Sequence, residues 1–174
     1  MVPIEDYPDM QQALLNADRS KTNYFEFRTG DEYWSSAYLI SAEKQNTISP
    51  NEAIIWQLLH MAMEQEGWTD EAVKSITTSE FLDFIFANGR YMLSGKGFDF
   101  SINTFWEEYQ TIVIGISNCV NCTFTRNGTV IENPILLKEE DIIAVTCFSD
   151  KWNFKQYFIE TKTEWWFFDW STTV

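Results

Sequence analysis

Few residues in this chain have the types and spacing that chemistry requires. Cys119-Val120-Asn121-Cys122 has the spacing of a redox pair or of half a zinc site, since two thiolates so placed can exchange a disulfide or chelate a metal. A thioredoxin-type pair sits at a helix N-terminus, where the dipole lowers the attacking thiol's pKa, whereas here the flanking residues read as strands. A structural zinc needs four ligands, and beyond this pair only Cys147 and His60 are soft donors. The cysteines therefore read as small hydrophobes, and no metal or cofactor is expected. Their odd number, in a chain with no visible export signal, also speaks against a disulfide framework.

His60 is the sole histidine, so any Ser-His, Cys-His or multi-histidine mechanism depends on it. Glu64 follows one helical turn later as its natural partner. On a narrow polar stripe of an apolar helix, a histidine usually satisfies local hydrogen bonds instead. Carboxylates pair at Glu107-Glu108, Glu139-Glu140-Asp141, Asp70-Glu71 and Glu80 with Asp83. Acid/base hydrolysis needs two carboxylates facing each other across a cleft in unlike environments. Adjacent residues do not face each other, and Glu139-Glu140-Asp141 reads as a solvated turn before a strand. No Gly-rich phosphate loop, G-x-S-x-G elbow, H-E-x-x-H or EF-hand loop occurs, and Gly95-Lys96-Gly97 is too short for a nucleotide loop. No enzymatic activity is expected.

The elements that would position these groups fall into two textures. Asp9 to Ala17 reads as a short amphipathic helix. Asp31 to Lys44 reads as another, with Trp34, Ala37, Tyr38 and Ser41 at helical spacing, although its aromatic content suits a strand too. Ser49-Pro50-Asn51-Glu52 is a capping box with proline at the first helical position. The helix it opens runs to about Glu66 before Gly67 and is apolar almost all round, apart from Gln57, His60 and Glu64. Thr69-Asp70-Glu71 opens a third helix with acids in its first turn, and Ser79 a fourth, through Phe81 to Phe86, which Asn88-Gly89 ends. From there the pattern turns to β. Ile112, Ile114 and Ile116 alternate, Cys122 and Phe124 continue, and Asn127-Gly128 supplies a type I′ turn before Thr129 to Ile131. Ile142 to Phe148, Phe154 to Glu160 and Glu164 to Trp170 follow as strands joined by tight turns such as Ser149-Asp150. The Trp165-Trp166-Phe167-Phe168-Asp169-Trp170 run puts large rings on both faces, so that strand is covered on both sides or offers aromatics to a ligand or partner. The expectation is one α+β domain over 1–174, with N-terminal helices (about 1–97) packed on a C-terminal antiparallel meander (about 98–174) of five to six strands.

Composition sets the class of partner. The 174 residues carry 26 Asp+Glu against 12 Lys+Arg, a formal charge of −14, which disfavours direct nucleic-acid binding because like charge repels phosphate. At 45% hydrophobic and 17% aromatic, the chain buries enough apolar surface to fold without a staple. Residues 1–110 hold 18 acids and 7 bases and residues 111–174 hold 8 and 5, so the excess acid belongs to the first part. Met1 to Asp9 has neither a positive n-region nor an apolar h-region, and the Ala53 to Met63 run is too short to cross a bilayer, so a cytoplasmic chain without membrane contact is expected. Glu64, Glu66, Asp70, Glu71, Glu80 and Asp83 are opposed locally only by Lys74. With Trp68 as a flanking anchor they form a candidate surface for a basic protein. Acidic inhibitors of nucleases, immunity proteins and DNA mimics among them, work by covering a basic phosphate-binding surface. The expected function is thus a non-enzymatic inhibitor neutralising a basic, nuclease-like toxin as an immunity protein does. The plain reading of the same residues is a solvated face. The alternative is a small α+β barrel or cone whose final strands line an aromatic pocket for an apolar ligand, with weak lyase or hydrolase chemistry. A third is docking into an assembly through the aromatic C-terminal strand.

Overall fold

The computed structural model describes residues 3–29, 35–46, 49–87 and 97–173. Eight strands among them make one antiparallel sheet: β1 (Thr22–Arg28), β2 (Ser35–Glu43), β3 (Phe98–Asp99), β4 (Thr123–Arg126), β5 (Thr129–Val130), β6 (Ile142–Lys151), β7 (Phe154–Thr161) and β8 (Glu164–Thr172). Their order across the sheet is β3-β6-β7-β8-β2-β1-β4-β5. The helices are α1 (Met10–Asn16), α2 (Pro50–Glu66), α3 (Asp70–Ser75), α4 (Thr78–Phe86) and α5 (Ile102–Ser117).

Alternation along the central strands sorts their side chains into two cores. Tyr38, Ile40 and Ala42 of β2, Phe158 of β7 and Trp165 and Phe167 of β8 join the core built with α1, α2, α3 and α4. Ala37 and Leu39 of β2, Tyr157 and Ile159 of β7 and Trp166, Phe168 and Trp170 of β8 join the core built with α5. Successive strand residues point to opposite faces, so an unbroken apolar run in a strand requires a cover on each side. The sheet is accordingly sandwiched between four helices on one face and α5 on the other.

On the first face α2 starts at Ser49, whose Oγ accepts the Glu52 N–H at 3.1 Å. It ends at Gly67, in the left-handed region at φ 71°, which glycine adopts without a Cβ clash. Every residue from Asn51 to Ala62 is buried, because α2 packs against β1, β2 and β8 of the sheet and against α1, with α3 and α4 contributing to the same core. Two side chains stitch these layers. Gln57 Nε2 donates to the carbonyls of Ile40 (3.0 Å) and Trp165 (2.8 Å), and Trp56 Nε1 donates to Ala13 O at 3.0 Å. On the second face α5 sets Phe105, Tyr109, Val113 and Ile116 into the sheet. Phe105 stands 5.2 Å, centroid to centroid, from Tyr157 in an edge-on contact, and Tyr109 stands 5.7 Å from Phe168 in the same manner, the geometry that ring quadrupoles favour. Tyr109 Oη also accepts the Leu136 N–H at 3.1 Å.

Several expectations stand as read. They include α1, the start and end of α2, the Thr69 cap of α3, the meander β6-β7-β8, and the Asn127-Gly128 turn, with φ 47° and 77°. Others are corrected. Residues 35–43 of the expected 31–44 helix form strand β2. Ala37 to Ala42 are buried without a break, so a helix burying one stripe would leave half of them in water. The expected alternating strand through Ile112, Ile114 and Ile116 is the end of α5, opened by Ser101, whose Oγ accepts the Thr104 N–H. There the period set by Phe105, Tyr109, Val113 and Ile116 wins over local β propensity, because it is the one that buries a continuous stripe. Strand β1, unread in the sequence, pairs with β2 and β4. The fourth helix is capped by Thr77, not Ser79, in a full capping box with Glu80. Ser149-Asp150 lies within β6, beside an irregularity in register, and not in a turn. The count of five to six strands becomes eight, two of them, β1 and β2, from the N-terminal part. The expected stop at Asn88-Gly89 and most of Gly95-Lys96-Gly97 lie outside the described residues.

The two periods assigned to 112–116 differ in a measurable way. Ile116 is buried and Ile114 is 47% exposed. Ile116→Ala is expected to lower unfolding stability in urea by about 2–5 kcal/mol and Ile114→Ala by about 0.5 kcal/mol or less. Equal losses would return the segment to a strand.

Candidate functional site

The acidic surface expected from the sequence is carried by the C-terminal end of α2, by α3 and by α4, and the structure gives its members different tasks. Glu64 pairs with Arg19 and lies 3.7 Å from His60 Nε2. Glu80 accepts the Thr77 N–H at 2.8 Å and the Thr77 hydroxyl at 2.7 Å, which holds its carboxyl below the usual range. Backbone and Thr69 hydrogen bonds lower Glu71 in the same way. Glu66, Asp70, Glu71, Glu80 and Asp83 are all exposed. Trp68 is half-buried, its ring centred 4.5 Å from that of Phe84, so it is part of the first core's rim and not a free anchor.

His60 lies inside the protein, 2% exposed. Its Nδ1 meets Thr22 Oγ1 at 2.6 Å, and its Nε2 has no hydrogen-bond partner. Burial, and then the nearby Arg19 charge, push its pKa down to about 4, so it is a neutral core imidazole at neutral pH. Of the two paired thiols, Cys119 follows the C-terminal end of α5 and donates to Gly115 O at 3.3 Å, while Cys122 donates to Ser117 O at 3.6 Å. Both thiols therefore face backbone carbonyls at the end of α5. Cys147 is buried, and burial followed by the Asp150 charge pushes its pKa up to about 11. Among the described residues, no three His, Cys, Asp or Glu side chains converge as a metal site requires.

A concave site lies elsewhere, along α5. Glu107, Glu108, Thr111, Ile112 and Gly115 form one stripe of that helix, and Cys119 continues it just past the helix end. Together with Trp170, Lys155, Thr29 and Ser35 from the sheet, they line a groove of about 640 Å³. Trp170 Nε1 donates to Ser35 Oγ at 3.0 Å, fixing the indole in the groove wall. At one end Lys155 Nζ bonds Glu108 at 3.0 Å and also pairs with Asp150. Tyr157 donates to Glu108 Oε2 at 2.5 Å. Burial alone would lower the Lys155 pKa, but the Asp150 and Glu108 hydrogen bonds outweigh it and hold the ammonium above its ordinary value. Burial, and then the bond to Glu108, raise the Tyr157 phenol, so neither group gives up its proton at neutral pH. Glu108, Lys155, Asp150 and Tyr157 thus form one network. The sequence alone missed this groove, although the stripe is visible at helical spacing once 102–117 is read as a helix. It also brings Glu107 and Glu108 to one cavity, where adjacency suggested divergence.

Comparison with protein-family models, with curated proteins and with solved structures finds no significant match for this chain. No helix among the described residues is long and apolar enough to cross a membrane.

The His60 environment has a consequence for stability. Its ordinary value is 6.5 and its folded value about 4, so between these the unfolded chain holds the extra proton and stability falls as pH falls. The contribution, on the order of 3 kcal/mol, is fully present above pH 6.5 and lost by pH 4. Urea unfolding of wild type and His60→Gln across that window should show the wild-type advantage shrinking toward acid pH. Parallel profiles would place His60 in contact with water.

Proposed function

We propose that this protein is a non-enzymatic cytoplasmic inhibitor that neutralises a basic protein partner, a nuclease-like toxin, in the manner of an immunity protein. The observation that carries the reading is the exposed carboxylate set on α2, α3 and α4 in a chain of net charge −14. The caps at Thr69 and Thr77 hold α3 and α4 in register, so Glu66, Asp70, Glu71 and Asp83 sit on fixed helices and not on loops. Such preorganised charge raises association rate and selectivity for a positive surface. The half-buried Trp68, packed on Phe84, borders these helices as part of the core's rim. Glu64, neutralised by Arg19, and Glu80, engaged in a capping box, contribute to this face mainly by holding it in shape.

The first experiment is capture from a lysate of the source organism with the tagged full chain, eluted by a salt gradient. One stoichiometric basic protein supports the inhibitor, whereas many nucleic-acid-binding proteins eluting together point to a mimic of nucleic acid. With the captured partner, the Glu66→Gln, Asp70→Asn, Glu71→Gln, Asp83→Asn variant should associate about tenfold more slowly at low salt, with a weaker salt dependence. An unchanged association rate would remove this face from the interface.

A further inference from the structure

We infer that the groove along α5 is a binding site for a small amphipathic organic cation, an amine or guanidine carrying an aromatic or alkyl body. Its volume, about 640 Å³, falls within the range of sites that hold small molecules, roughly 300–1,000 Å³. The apolar wall is made by Trp170, Ile112 and Ile116. The tie to Ser35 presets the indole, so little ordering remains to oppose binding, and an indole attracts a cation over its face.

Charge at the polar end selects the sign of the ligand. Glu107, Glu108 and Asp150 stand there against Lys155, whose ammonium is already engaged by both Glu108 and Asp150. Lys155 therefore offers little to an anion. Glu107 accepts a neutral hydrogen bond from Asn103 at 3.0 Å and has no ion-pair partner among the described residues. An entering anion would meet an excess of like charge, and an entering cation would find a carboxylate to pair with.

Gly115 also lines the groove. A glycine inside a helix costs roughly 0.5–1 kcal/mol relative to alanine, and some close packing usually demands it. Here a Cβ would meet nothing within 4 Å, so the fold has no steric need for glycine at this position. A longer side chain there would project into the groove. The site lies on the α5 face of the sheet, opposite α2, α3 and α4, and does not depend on the acidic surface or its partner.

The test uses the full chain, isotope-labelled, with phenethylamine (a cation at neutral pH) as probe and with 2-phenylethanol and phenylacetate as its neutral and anionic counterparts. Two positions report on the groove itself. One is the Trp170 indole N–H resonance, assigned by its loss in Trp170→Phe. The other is N-ethylmaleimide alkylation of Cys119, which lines the groove, against that of Cys122, which does not. The amine should shift the indole resonance saturably and slow alkylation of Cys119 but not of Cys122. The alcohol should bind more weakly, and the acid not at all. Glu107→Gln should weaken amine binding about three- to tenfold and leave the alcohol unchanged. Gly115→Met should abolish binding of both at an unchanged or higher Tm. If that variant does not fold, the probe series and Cys119 protection in the wild-type chain decide. A missing saturable response, an acid that binds as well as the amine, or undiminished binding in a folded Gly115→Met overturns the proposal.

Discussion

Trp165, Trp166, Phe167 and Phe168 follow one another in β8, and because successive side chains of a strand point to opposite faces, neither face of that strand can be left to water. Its neighbours carry the same demand, since β2 is buried without a break from Ser36 to Ala42 and β7 from Gln156 to Ile159. Leaving either side bare would expose several large rings, each worth roughly 2–3 kcal/mol of lost burial. The sheet therefore requires two covers. The fold meets this demand with α2 and its escort of short helices on one side and with α5 on the other. The buried Gln57 bonds to the sheet backbone and the aromatic cluster under α5 follow from the same requirement.

That double burial limits where function can reside. The rings of the final strands, which from sequence could have lined an enclosed pocket, are almost all committed to the two cores: Phe167 and Phe168 are 0% and 1% exposed, and Tyr157 is 0%. Trp170, near the end of β8, is half-buried and lines the groove along α5. The groove's polar end is closed by the Glu108, Lys155, Asp150 and Tyr157 network, which ties α5 to β6 and β7. The acidic surface lies on the outer side of the other helical layer. The exposed carboxylates and the groove thus belong to helices on opposite sides of the sheet.

Much of the local structure was legible because its signals are short in range. Ser49-Pro50 with Gly67 bounds α2, Thr69 opens α3, and Asn127-Gly128 turns the β4-β5 hairpin, each through a hydrogen bond or a positive φ set by residues within four positions. The three C-terminal strands were legible for the same reason, each a short β-branched or aromatic run between polar turns. Misreadings arose where two periods coexist. Residues 35–43 are apolar at nearly every position, so a helical template matches them as well as a strand does. Residues 105–116 contain both an alternating isoleucine set and a helical stripe, and only the surface waiting to be covered decides between them. A strand over that segment dissolves the stripe from Glu107 to Cys119, and the groove with it.

By itself, then, the sequence determined the caps, the turns, the −14 charge and its concentration in the first part of the chain, and the absence of the familiar catalytic motifs. These depend on residue identity and on neighbours a few positions away. Only the tertiary structure decided that β1 and β2 enter the sheet beside β8, that α5 is a helix, that His60 is neutral and internal, and that Glu108 meets Lys155 across 47 positions. Each of these is an agreement between distant segments about which surface to bury, and burial, unlike a cap or a turn, has no meaning until the partner surface exists.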